Sequence, residues 1–68
     1  MKYLDEKMSN KLRGLMTESG KTMEIVAQEM DITRATLSSR INGHRDFSRI
    51  EMERFAQSVG RRPQDIFF

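Results

Sequence analysis

Residues 22–43 read TMEIVAQEMDITRATLSSRING, and the fold turns on whether they make one helix or two. Met23, Val26, Ala27 and Met30 recur at helical spacing, so one apolar side runs over 23–30, with Thr22 placed to cap its start. Ile25 falls on the far side of that wheel. Asp31 and Ile32 then interrupt the pattern. Thr33 can cap a separate helix over 34–42, and Ile32 and Leu37 occupy the two positions of a hydrophobic staple. Asn42 and Gly43 both tolerate positive φ and end that helix. Two short helices joined by a tight turn are therefore expected.

The flanks extend the helical pattern. Leu4, Met8, Leu12, Leu15 and Met16 form a stripe over 4–18, and Gly20 supplies a left-handed stop. Beyond the loop HRDF (44–47), Ser48 and Glu51 make an S-x-x-E capping box, Met52, Phe55, Ala56 and Val59 share a face, and Gly60 closes the helix. Pro63 suits the first position of a last turn, PQDIFF (63–68). No alternating strand pattern appears. The chain reads as one all-α domain, 1–68: a compact bundle of four helices plus a short C-terminal helical turn.

Composition removes most chemistry. A 68-residue domain buries only about 60% of its unfolded surface, which leaves little core for an enclosed catalytic pocket. There is no cysteine and a single histidine, His44, so neither a disulfide framework nor a metal site is expected, and no cofactor. GKT at 20–22 resembles the end of a phosphate-binding loop, but five residues separate Gly14 from Gly20 where four are required, and a helix precedes it. Asp5 with Glu6, and Glu51 with Glu53, read as helix-start charges and solvated faces that do not converge on one site. No nucleophile–base set can be assembled, and an enzyme is not expected. No run approaches the ~20 apolar residues that span a bilayer, and MKYLDEKMSNK carries charge where a secretory signal needs an apolar stretch. A cytoplasmic protein is expected.

Net charge is only +2, but it is unevenly spread. Residues 22–32 hold Glu24, Glu29 and Asp31 with no base, whereas 33–49 hold Arg34, Arg40, Arg45 and Arg49 against Asp46 alone. A local basic block matters more than the total, since phosphate is met by one face of a protein. Within that block, Leu37 and Ile41 share one side of the helical wheel, and Ala35, Thr36 and Ser39 lie roughly opposite. Solvated helix surfaces usually carry long Glu and Lys, which are better helix formers than Ser or Thr. Small side chains instead let a helix approach another surface closely. A DNA major groove admits an α-helix, hydroxyls can donate to or accept from base edges, and an alanine methyl packs on the methyl of thymine.

These residues resemble the helix-turn-helix of the phage-repressor and Cro-like (Xre-type) DNA-binding family. Ala27 matches that family's small residue where the two helices cross, Ile32 follows the turn, Leu37 is the core position of the recognition helix, and Asn42–Gly43 closes it. The similarity continues through FSRIEMERFAQSVG (47–60), like the family's fourth helix, to the PQDIF ending (63–67). The resemblance implies a lambda-repressor-like fold and a sequence-specific double-stranded DNA-binding regulator of the repressor type, acting by occupying an operator. By position it assigns Thr33, Arg34, Ala35, Ser38 and Ser39 to bases or nearby phosphates, and Thr22, Asn42 and Arg45 to the backbone. Arg34 and Ser39 are the expected base readers, and Arg40 and Arg45 the expected phosphate contacts. Thr33 serves first as a cap.

Three positions depart from the family pattern. Asp31 stands where glycine is usual in the turn, Met23 where a DNA-reaching glutamine is common, and Met16 with Ile41 where many members pair an arginine with an acid. An apolar contact is expected in place of that ion pair, a swap that can be neutral or stabilising. One short helix reads few base pairs, so a homodimer on a near-palindromic operator is expected, with its contact surface near the fourth helix, Phe67 and Phe68. The rival reading is a protein-interaction module, such as an antitoxin or antirepressor that uses the helix-turn-helix as scaffold. An RNA binder would need a stacking platform. Tyr3, Phe47, Phe55, Phe67 and Phe68 are mostly assignable to core or termini.

Overall fold

Hydroxyl caps divide the chain into its elements, as seen in a computed structural model that describes residues 6–43 and 47–67. Helix α1 spans Glu6–Glu18, α2 Met23–Glu29, α3 Arg34–Ile41, α4 Arg49–Ser58 and α5 Pro63–Ile66. Thr22 Oγ1 accepts from the Ile25 N–H at 3.2 Å, and Thr33 Oγ1 from the Thr36 N–H at 3.1 Å. Ser48 and Glu51 complete a capping box, each side chain accepting from the other's main-chain N–H at 3.2 and 3.0 Å. Helix α5 has no side-chain cap and starts at Pro63, whose missing N–H would have been unsatisfied anyway. Among the described residues there is no strand, and no helix is long and apolar enough to cross a membrane. Leu4, His44, Arg45 and Phe68 lie outside the described residues.

Three helices end by the same device. After α1 the Gly20 N–H donates to Thr17 O and the Lys21 N–H to Met16 O; after α4, Gly60 and Arg61 do the same to Gln57 and Ala56. Both are Schellman closures with glycine left-handed, at φ 74° and 72°. The turn after α2 repeats this pattern, Asp31 donating to Gln28 O and Ile32 to Ala27 O, but the left-handed residue is Asp31 at φ 61°. A side chain there costs energy that glycine avoids, and aspartate is among the residues that tolerate it best. Asp31→Gly is expected to stabilise the fold by about 0.5–1 kcal/mol, the relief being partly offset by glycine's greater unfolded-state freedom. A denaturant midpoint that fell or stayed put would contradict this. Of the two residues that tolerate positive φ at the end of α3, only Gly43 adopts it, at 83°. Asn42 keeps φ −80° as the C-cap, because one left-handed residue suffices to turn the chain.

The closures aim the apolar sides inward. Leu12, Met16, Val26, Ala27, Met30, Leu37, Ile41, Phe55, Ala56, Val59 and Ile66 are buried in one cluster together with Phe47. Helix α2 packs on α3 and α4, α1 on α3, and α5 on α4. Met16 and Ile41 are both in that cluster, so apolar burial stands where the resembling family often has an ion pair. The Phe47, Phe55 and Phe67 rings form a triad with centroids 5.4–6.2 Å apart. Phe67 therefore packs against the core while remaining half-buried. Ile50 of α4 is the strongly exposed apolar residue of that region, at 58%.

Polar side chains fasten helix ends between elements. Lys11 Nζ of α1 donates to the carbonyls of Asp65 and Ile66 at 3.3 and 3.1 Å, holding α5. Arg54 Nη1 of α4 donates to Met30 O at 3.1 Å, satisfying a carbonyl at the end of α2. The buried Ser9 hydroxyl donates to Ile41 O, tying α1 to the last turn of α3.

Candidate nucleic-acid interface

Burial splits α3 into two sides. Leu37 and Ile41 are fully buried, whereas Thr33, Arg34, Ala35 and Asn42 are exposed, and Thr36, Ser38, Ser39 and Arg40 are half-buried. The expected base readers are thus both solvent-accessible on α3, Arg34 at its first position and Ser39 in its second turn. Among the described residues, Arg34 and Ser39 have no hydrogen-bond or ion-pair partner, so their polar groups are free to meet a ligand. Thr33 is more committed, since it also donates to Thr36 Oγ1 at 2.8 Å. The exposed Thr22 uses its oxygen as the α2 cap. Met23 is half-buried against the core, the place of an apolar side chain, not of a reaching polar one.

Arg40 has a different setting from the one expected of a phosphate contact. Its Nε and Nη2 donate to the two Glu51 carboxylate oxygens at 2.9 and 3.1 Å, and the side chains are only 21% and 14% exposed. This bidentate pair ties α3 to the capping box of α4, so one glutamate serves both helices. The Arg40 guanidinium holds the Glu51 carboxyl below its ordinary range, with the Ser48 N–H assisting and burial opposing. Glu51 correspondingly raises Arg40.

A folded carboxyl held below its unfolded value contributes stability above the unfolded value, near 4.3, and loses it as pH falls through the folded one. Glu51→Gln is therefore expected to cost about 1–3 kcal/mol at pH 7 and to flatten the decline of stability below about pH 4.3. Urea titrations from pH 3 to 7 measure both. An acid slope matching the unsubstituted protein's would contradict the assignment.

Most of the remaining cations are already partnered. Lys21 pairs with Glu29 at 2.7 Å, and that carboxylate, held down by Lys21 and by Ser58, is tied to the far end of α4. Arg49, Arg61 and Arg62 meet Glu53, Glu18 and Asp65. Among the described residues Lys7, Lys11, Arg13, Arg34 and Arg54 have no carboxylate partner, and Lys11 and Arg54 are committed to helix-end carbonyls.

Arg13 was not anticipated from the sequence. Its Nη2 donates to Asn42 Oδ1, and Asn42 Nδ2 donates to Ser38 Oγ at 3.1 Å, so an α1 arginine reaches the candidate surface. No sequence signal marks it, because a charged residue on a solvated helix is ordinary and its partner lies 29 positions away. Arg45 falls outside the described residues. No group of three or more His, Cys, Asp or Glu that could hold a metal occurs among the described residues. No family model matches the chain, and neither a curated protein nor a solved structure matches it.

Proposed function

We propose that this chain is a sequence-specific double-stranded DNA-binding transcriptional regulator with a helix-turn-helix of the phage-repressor and Cro-like type, α3 being its recognition helix. The observation that carries the reading is the uncommitted pair Arg34 and Ser39 beside Ala35 and Ser38, on a helix whose other side is fully buried. Small side chains let α3 enter a major groove, where a guanidinium can bond guanine O6 and N7 and hydroxyls can bond most base edges. Thr22, Thr33, Asn42 and Arg45 are the proposed backbone contacts, and Arg40 acts mainly through its pair with Glu51. Binding in the cytoplasm at an operator excludes polymerase by occupancy. Two copies on a near-palindrome double the readout of one short helix. The exposed Ile50 favours a protein contact, and a second copy of the chain supplies one without the separate partner of the interaction-module reading.

Phosphate contacts release counterions, so log K falls by about 0.9 per log salt for each phosphate neutralised. With two or three contacts per copy and two copies, a slope of about −4 or steeper is expected for duplex DNA. Fluorescence anisotropy at graded salt measures it. Salt-independent affinity, or none for duplex, would overturn the reading.

A further inference from the structure

The bonding of Asn42 is directional. A guanidinium has donors only, so contact with Arg13 obliges Asn42 to turn its Oδ1 that way. Its Nδ2, also donor only, is left for the Ser38 hydroxyl, which must accept. The Ser38 hydroxyl forms no other hydrogen bond among the described residues, so its own hydrogen is uncommitted. Polarity therefore runs one way, from Arg13 through Asn42 to Ser38, and the charged first donor strengthens the bonds that follow.

We infer that Arg13 is a positioning residue that fixes Ser38 as a hydrogen donor toward the DNA, and so sets which base edge Ser38 selects. The inference rests on the DNA-binding reading and deepens it. In the major groove the acceptors are purine N7, guanine O6 and thymine O4, whereas cytosine N4 and adenine N6 donate. A donating Ser38 favours an acceptor edge at its position. Without Arg13 the Asn42 amide turns over freely, Oδ1 can take the Ser38 hydrogen, and the hydroxyl then offers lone pairs instead.

The test starts from duplexes selected by the unsubstituted protein and the three base-pair replacements at whichever position Ser38→Ala relaxes. Arg13→Ala is expected to reduce the preference there by about threefold to tenfold, the scale of one hydroxyl contact, while preferences elsewhere and the salt slope stay unchanged. Arg13→Lys, which can still donate to Asn42, restores the preference. Asn42→Asp keeps the Arg13 contact but takes the Ser38 hydrogen, so preference shifts toward a pair presenting cytosine N4 or adenine N6. It also carries the test if Arg13→Ala proves unfolded by thermal melting. If Arg13→Ala weakens all four duplexes equally and lowers the salt slope, Arg13 is a phosphate clamp and the relay is wrong. An unchanged preference in Asn42→Asp, or no position relaxed by Ser38→Ala, overturns it too. Failure of the unsubstituted protein to select any duplex would refute the DNA-binding reading itself, and is distinguishable from all of these.

Discussion

Phe55→Ala is expected to leave the domain largely unfolded at 37 °C. Phe55 is fully buried and packs on both the Phe47 and Phe67 rings, with centroids 5.9 and 6.2 Å away. Truncating such a residue typically costs about 3–5 kcal/mol, the lost transfer energy plus the cavity left behind. A 68-residue chain at roughly 0.05–0.15 kcal/mol per residue has only about 3–10 kcal/mol in total. The cavity would open where Phe47, α4 and the residue after α5 meet, so collapse to fill it would disturb all three. Thermal melting by circular dichroism measures the effect. A midpoint lowered by only a few degrees would show that the triad contributes little beyond covering the core.

Arg34→Ala has the largest expected effect on binding with the fold intact. Arg34 is exposed and unpaired among the described residues, so its removal should change stability by no more than about 0.5 kcal/mol. A bidentate arginine–guanine contact discriminates by about 1–3 kcal/mol, and two copies on an inverted repeat would lose about 2–6 kcal/mol for the selected site. Affinity for a scrambled duplex should change far less. Ser39→Ala should act in the same direction more weakly, one hydroxyl making fewer bonds than a guanidinium. Equal losses on selected and scrambled duplexes would make Arg34 a phosphate clamp, and α3 would lose its principal reading residue.

What the sequence revealed follows the range of each interaction. The Thr22, Thr33 and Ser48 caps act within three residues and were legible as such. Helical periodicity likewise separated Leu37 and Ile41 from Ala35 and Ser39, because it needs only the wheel; Arg34 shares the wheel side of Ile41 and is exposed at the first position of α3. The C-termini were blurred by one residue, since Met30 and Asn42 are caps whose carbonyl partners belong to the helix while their own positions lie just outside it.

Partnerships between helices were not legible. Nothing local distinguishes the Arg40 that meets Glu51 eleven residues later from an arginine awaiting phosphate, and the packing of α3 on the bundle decides it. Arg13 and Asn42, or Ser9 and Ile41, become neighbours only after α1 has docked on α3. The packing of Phe67 was not legible for the same reason, since its ring meets Phe47 and Phe55 only once α5 has docked on α4.

The central claim, that α3 reads double-stranded DNA, is tested most directly by selecting bound molecules from a pool of random duplexes and sequencing them. A near-palindromic consensus is predicted, with half-sites separated by about one helical turn, ~34 Å, or a multiple of it. A recovered pool with no sequence in common, or no duplex retained at all, would contradict the account.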